Sequence, residues 1–124
     1  MKTFCGTDII EVNRIQEIIE EEKEKFLERI FTQKEIAYCE KKKIVKYQHY
    51  AGRFAAKEAI FKAISPFLKN KYDISWKNIE IINDENGRPI VNLIGICLKN
   101  IENIDISISH VKDMAIATCI ISCK

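Results

Sequence analysis

Two acids and a lysine are the residues of this chain best suited to chemistry. Glu58 and Lys62 stand four residues apart in a segment with helical spacing, and Asp8 lies near the end of a predicted strand. Because a helix advances about 100° per residue, Glu58 and Lys62 share a face that is otherwise made of alanine. Carboxylates from two elements suit Mg²⁺, which prefers oxygen ligands together with substrate phosphates. An ammonium group one helical turn further along suits a phosphate.

Both features also have purely structural explanations. Oppositely charged side chains four residues apart in a helix commonly form an ion pair, which is worth only a few tenths of a kcal/mol. Aspartate is a favoured residue at a helix N-cap, and a helix is predicted soon after Asp8. The residue types alone leave these alternatives open.

The elements that must position these residues follow an α+β order. The predicted elements are a strand over 3–10, helices over 12–29, 32–42 and 47–64, strands over 79–82 and 90–94, a short helix over 96–102, and strands over 104–109 and 114–121. Helix 47–64 has apolar residues almost all round, which predicts a buried helix at the centre of the fold. Tyr72 and Trp76 are predicted core anchors, and Gly87 is expected to take a positive φ in the turn 83–89.

Composition limits the class of protein. The chain has 124 residues, enough for one domain with one core over 1–124, and a net charge of +2, which argues against a nucleic-acid binder. No signal peptide or membrane-length apolar run is visible, so a soluble cytoplasmic protein is expected. The five cysteines include no CxxC pair, which predicts reduced, mostly buried thiols.

Three segments together resemble the holo-acyl-carrier-protein synthases, the short 4′-phosphopantetheinyl transferases. The segment 6–15 resembles the GTDIxExxRI pattern of that family, and 51–63 resembles its RFAxKEAxxKA helix. The segment 106–110, followed by 115–117, resembles its closing strand pair. Their order and spacing match across essentially the whole chain.

The resemblance implies an α+β fold of the 4′-phosphopantetheinyl transferase type and a magnesium-dependent transferase. Such an enzyme moves the 4′-phosphopantetheine group of coenzyme A onto a serine of acyl carrier protein, as fatty acid biosynthesis and lipid metabolism require. It also implies a homotrimer with coenzyme A in clefts between subunits. A non-catalytic coenzyme A- or partner-binding module of the same fold is the alternative hypothesis.

The resemblance further implies a role for each matched residue. Asp8 and Glu58 match metal ligands, Lys62 matches a phosphate-binding lysine, and Arg14 matches a residue that meets the carrier protein. The serine proton would pass to Glu58 or to His110. The residues implied to line the nucleotide site are Arg53, Asn83, Gly87, Ser109 and His110.

Three of these residues have simpler explanations as well. Arg53 could be a solvated helix charge, His110 a strand-end histidine bonded to backbone, and Gly87 a turn residue only. One departure from the family is the acidic run 20–22 on the first helix, which would repel an acidic carrier protein. Lys23, Lys25 and the lysine run 41–43 are candidates for the missing positive surface, although the run could also be a solvated helix end.

Overall fold

One long helix, α4 (Lys46–Ile64), lies at the centre of the fold and packs against a sheet, a hairpin and shorter helices. The computed structural model describes residues 2–70 and 73–124, so the predicted core position of Tyr72 lies outside the described residues. The elements in chain order are β1 (Lys2–Glu11), α1 (Val12–Glu22), α2 (Glu24–Ile30), α3 (Gln33–Glu40), α4 (Lys46–Ile64), β2 (Ile79–Asn83), β3 (Pro89–Leu93), β4 (Ile101–His110) and β5 (Met114–Cys123). The expected α+β order is confirmed.

The strands form two antiparallel units. β1, β5 and β4 make a sheet in that order, and β2 pairs with β3 as a hairpin. The core side of β4 carries Ile106, which is buried, and Ile108. The exposed outer face of this strand carries Asp105, Ser107 and Ser109. The side chains of β4 therefore alternate at period two between a buried and an exposed face.

The central position of α4 follows from its small residues. Five alanines of this helix are fully buried: Ala51, Ala55, Ala56, Ala59 and Ala63. They pack into two apolar clusters, one with the sheet and the hairpin and one with α1, α2 and α3. Trp76 is partly buried, stacked on Phe54 with ring centroids 5.2 Å apart, and packs against the second cluster.

The closest approach to α4 is made by β1 at Gly6. A Cβ atom at this position would lie 2.0 Å from the carbonyl oxygen of Ala59 and 2.9 Å from Cβ of Lys62. Only glycine lets the strand lie this close to the helix. As a result, the end of β1, with Asp8, is held beside the fourth and fifth turns of α4.

A buried ion pair ties α4 to the elements beneath it. The ammonium of Lys57 lies 2.6 Å from Oε1 of Glu35, and both side chains are fully buried. Lys57 also donates to the carbonyl oxygens of Ile30 at 2.7 Å and Trp76 at 3.2 Å. Glu35 accepts a bond from the backbone N–H of Ile81, and with Thr32 it forms a capping box at the start of α3. Burial lowers the pKa of Lys57, although the Glu35 carboxylate opposes the shift.

Two predicted helices are wrong in detail. The helix expected over 12–29 breaks at Lys23, whose φ of 53° ends α1 before α2 begins. The segment expected as a helix over 96–102 is not helical: residues 96–98 have no regular secondary structure and 99–100 form a turn. Its apolar side chains Ile96 and Leu98 alternate at period two against the core, and β4 already begins at Ile101. Side-chain burial in this run therefore follows a strand period and not a helical one.

The cysteine prediction is only partly right. All five thiols are free, and Cys39 and Cys119 are buried as expected, but Cys5 and Cys97 are exposed. Burial raises the pKa of the Cys39 and Cys119 thiols to about 12. Among the described residues, no helix combines the length and apolar character needed to cross a membrane.

Candidate functional site

The predicted metal ligands come together in one cleft between β1, α1 and α4. Asp8, Arg14 and Glu58 line this cleft of about 510 Å³, hereafter the carboxylate cleft. Burial and the nearby Asp8 carboxylate raise the pKa of Glu58, and the Lys62 ammonium opposes that shift. Two acids separated by 50 residues in sequence are therefore within electrostatic reach of each other.

The structure contradicts the purely structural explanations for Asp8 and for the pair Glu58 and Lys62. Asp8 lies inside β1, and the N-cap of α1 is Glu11, so Asp8 is not a helix cap. Lys62 donates to Oδ1 of Asp8 at 3.3 Å and to the carbonyl oxygen of Thr7 at 2.9 Å. Its ion pair is therefore made across to β1 and not with Glu58 along the helix.

The donor set of the carboxylate cleft fits Mg²⁺. Asp8 and Glu58 supply carboxylate oxygens from two elements, and a cation held by both would relieve their mutual repulsion. Within residues 2–70 and 73–124, no group of three or more His, Cys, Asp or Glu side chains could hold a metal. A pair is a sufficient protein contribution, because Mg²⁺ usually keeps several waters and is held by one or two carboxylates with substrate phosphates.

Glu58 also borders a second cleft of different character. This groove of about 580 Å³ is lined by Phe61, Leu68, Ile74 and Trp76, which are apolar or aromatic. Glu58 therefore lines both clefts.

A separate small pocket collects most of the predicted nucleotide-binding residues. The pocket, hereafter the histidine pocket, has a volume of about 180 Å³, and the predicted residues that line it are Arg53, Asn83, Gly87 and His110. Tyr38 and His49 also line this pocket, and neither was predicted from the sequence as a site residue. The signal for His49 was its spacing, because it stands one helical turn before Arg53.

Arg53 is not a solvated helix charge. Only 4% of its surface is exposed, and its guanidinium lies 3.8 Å from the ring centroid of Tyr38. One of its terminal N–H groups donates to Oδ1 of Asn83, whose amide in turn donates to the carbonyl oxygen of Gly87 at 2.9 Å. Its Nε is buried and has no partner among the described residues. A buried cation with an unmatched donor is suited to an anionic ligand.

The remaining predicted residues of this region have different surroundings. His110 contacts the side chain of Gln48 and not the backbone, with Nδ1 and Oε1 3.0 Å apart. Gly87 takes the predicted positive φ of 82°, and a Cβ there would meet nothing within 4 Å. Ser109 is exposed on the outer face of the sheet, opposite Ile116, and so does not face the pocket that His110 lines.

The carboxylate cleft and the histidine pocket lie on different sides of α4. Glu58 and Arg53 are five residues apart, which corresponds to about 7.5 Å along the helix axis and a rotation of roughly 140°. The chain therefore carries two groups of candidate residues on one helix without joining them in one cleft.

Comparison with known proteins agrees with the geometry. The model of the 4′-phosphopantetheinyl transferase superfamily matches residues 4–119. The holo-[acyl-carrier-protein] synthase of Ruminiclostridium cellulolyticum is 42% identical, over 98% of this chain and 93% of its own.

Two solved structures show the same fold. The holo-(acyl-carrier-protein) synthase of Bacillus anthracis, in complex with CoA (3′,5′-ADP), superposes with a TM-score of 0.80 at 35% identity, covering 98% of this chain and 96% of its own. The synthase of Helicobacter pylori in complex with coenzyme A has a TM-score of 0.80 at 32% identity, covering 95% and 99%. This chain belongs to the 4′-phosphopantetheinyl transferase superfamily.

Proposed function

We propose that this chain is a holo-[acyl-carrier-protein] synthase, which transfers the 4′-phosphopantetheine group of coenzyme A to a serine of an acyl carrier protein. The observation that carries the proposal is the meeting of Asp8, Glu58 and Lys62 at one point of a chain that belongs to this superfamily. The names of its relatives support the carrier protein as the acceptor. The coenzyme A complexes of its structural neighbours support the donor.

The reaction needs positioning and charge neutralisation more than a protein nucleophile. The serine oxygen bonds to the β-phosphorus of coenzyme A, the bond from that phosphorus to the bridging oxygen breaks, and adenosine 3′,5′-bisphosphate leaves with the electron pair. We assign Asp8 and Glu58 to Mg²⁺, which when bound supplies positive charge against the pyrophosphate. Lys62 adds an ammonium group beside both acids.

The rest of the site holds the nucleotide and takes up the serine proton. We assign Arg53, Asn83 and the turn at Gly87 to the nucleotide, because they line one pocket in which the buried guanidinium of Arg53 supplies positive charge. Glu58 and His110 are the two candidate acceptors of the proton, since each lines a cleft and can bind it.

A complete site requires more than one copy of the chain, and we propose a homotrimer. The outer face of the sheet exposes Ile9, Ile116 and Ile120 to 60%, 39% and 52%, and Ile9 pairs with Ile116 in register. Exposed apolar side chains of this kind are suited to burial against other copies. Contact between copies would let the carboxylate cleft of one meet the histidine pocket of the next, and Ser109 would lie at that contact.

We assign carrier docking to the surface around Arg14, which is exposed and lines the carboxylate cleft. The acidic run 20–22 is exposed on the same helix, and Glu22 is paired with Arg29 at 3.8 Å. We place the protein in the cytoplasm, where it would supply holo carrier protein for fatty acid biosynthesis.

Mass spectrometry of a carrier protein incubated with the chain, coenzyme A and Mg²⁺ tests the activity. A phosphopantetheine-sized mass gain is expected with wild type, and none with Asp8→Ala, with Glu58→Ala or after chelation of the metal. Glu28→Ala is the matched control, because Glu28 is an exposed acid outside both clefts. Coenzyme A binding without any mass gain on several carrier proteins would instead indicate the non-catalytic module.

Light scattering tests the assembly independently. Wild type should have three times the 14.4 kDa mass of one chain. Ile116→Lys should yield monomers without transferase activity. Ile44→Lys is the matched control and should stay trimeric and active, because Ile44 is 96% exposed but belongs to the 3₁₀ helix Lys43–Val45 and not to the sheet. A monomeric, fully active wild type would contradict the trimer.

A further inference from the structure

The ring of His110 is held from α4 by two consecutive residues. Its Nδ1 lies 3.0 Å from Oε1 of Gln48. A carboxamide oxygen only accepts hydrogen bonds, so a hydrogen bond at this contact requires the proton on Nδ1. The ring of His49 packs edge to face against that of His110, with centroids 4.8 Å apart. One contact therefore selects the tautomer, and the other restricts the plane of the ring.

Gly52 makes this approach of helix and strand possible. A Cβ there would lie 3.0 Å from Cγ2 of Ile108 and 3.9 Å from Cδ2 of His110. Gln48 and Gly52 are one turn apart and share a face of α4, so this face meets the end of β4. The position of the Gln48 amide beside His110 is thus set by the packing of the two elements.

His49 is itself held on its other side. Its ring lies 5.6 Å from that of Tyr38, and it shares a helix face with Arg53. Burial, together with the charges of His110, Lys42 and Arg53, lowers the pKa of His49 to about 4. The ring is therefore neutral near pH 7 and adds no charge to a pocket that already contains a buried guanidinium.

We propose that Gln48 and His49 are positioning residues that hold His110 with Nδ1 protonated. Nε2 is then the ring nitrogen that is free to interact with the substrates. In the neutral ring, Nε2 can accept a proton; in the imidazolium it can donate a hydrogen bond to a phosphate oxygen. The consequence for turnover rests on the proposed function, but the tautomer does not. The tautomer is a property of the free protein and can be measured without substrate.

Nitrogen NMR of the imidazole rings tests the tautomer directly. The chain has only two histidines, so His49→Phe assigns both sets of signals. We expect the neutral His110 of wild type to be mostly protonated on Nδ1, and Gln48→Met to shift it mostly to Nε2. Gln33→Met is the matched control, because Gln33 is an exposed glutamine of α3. A wild-type ring protonated on Nε2, or an unchanged tautomer in Gln48→Met, would overturn the proposal.

Measurements of turnover distinguish positioning of His110 by Gln48 from general structural support. Gln48→Met should lower kcat/KM for coenzyme A about fivefold, the ratio expected for the loss of one hydrogen bond. Gln48→Glu keeps an acceptor oxygen and should retain both the wild-type tautomer and most of the turnover. Equal losses in Gln48→Glu and Gln48→Met would refute the role of the acceptor. If the proposed function were wrong, wild type would lack turnover while His110 kept the predicted tautomer. This result differs from failure of the positioning proposal, in which the tautomer itself would not be as predicted.

Discussion

Replacing Gly6 by alanine tests how β1 holds Asp8 beside α4. The new Cβ would lie 2.0 Å from the carbonyl oxygen of Ala59 and 2.8 Å from the backbone nitrogen of Ala63. Both are backbone atoms of a buried helix, so neither can rotate out of the way. Because Cβ atoms essentially never come closer than 3.0 Å to such atoms, strand and helix must separate by about 1 Å at this point.

The size of the effect follows from that separation. Overpacking of a core costs about 1–3 kcal/mol, and the upper end applies here because both neighbours are backbone. For a chain of this length, about 3 kcal/mol corresponds to a fall in Tm of roughly 10 °C. Asp8 lies two residues beyond Gly6 on the same strand, so it should move away from Glu58 and Lys62 by a similar distance. Misplacement of a reacting constellation by about 1 Å can lower turnover by about 10²-fold.

Two measurements check this prediction. Thermal unfolding followed by circular dichroism gives the loss of stability, and phosphopantetheine transfer at saturating Mg²⁺ gives the loss of turnover. Cys5→Ala is the matched control, since Cys5 is the adjacent residue of β1 and its side chain is exposed. Wild-type Tm and turnover in Gly6→Ala would refute the reasoning that this contact positions Asp8.

Three further predictions concern stability and reactivity. Lys57→Met should lower the free energy of unfolding by about 4 kcal/mol, because it leaves the buried carboxylate of Glu35 unpaired; an unchanged urea midpoint would contradict this. The pKa of His49 is about 4 in the folded protein and 6.5 in the unfolded chain. Between these two values the unfolded chain binds more protons, so the free energy of unfolding falls as the pH drops from 6.5 to 4. His49→Phe should reduce that pH dependence in a series of thermal melts, and an unaltered slope would count against it. Peptide mass spectrometry after alkylation should find the exposed thiols of Cys5 and Cys97 modified in the native protein. Cys39 and Cys119 should be modified only after unfolding, and their modification in the native protein would contradict this prediction.

Most of the secondary structure could be predicted from the sequence because it depends on local periodicity. Alternation at period two located the strand over 104–109, and apolar residues on almost every side identified 47–64 as a buried helix. The errors arose where periodicity was ambiguous or silent. The run 96–102 has apolar residues compatible with either period, and in the structure Ile96 and Leu98 pack against the core without forming a helix. Lys23 breaks the first helix by a left-handed φ that no residue type in 20–24 signals.

The site divides in the same way. The order of three motifs in the sequence was enough to select Asp8, Glu58 and Lys62, and to indicate the family to which the chain belongs. Tertiary structure alone decided that Lys62 pairs with Asp8 and not with Glu58, and that Ser109 faces away from the pocket of His110. The physical reason is that motif spacing specifies which residues lie on a helix or strand, whereas close packing at Gly6 and Gly52 determines which side chains meet across elements.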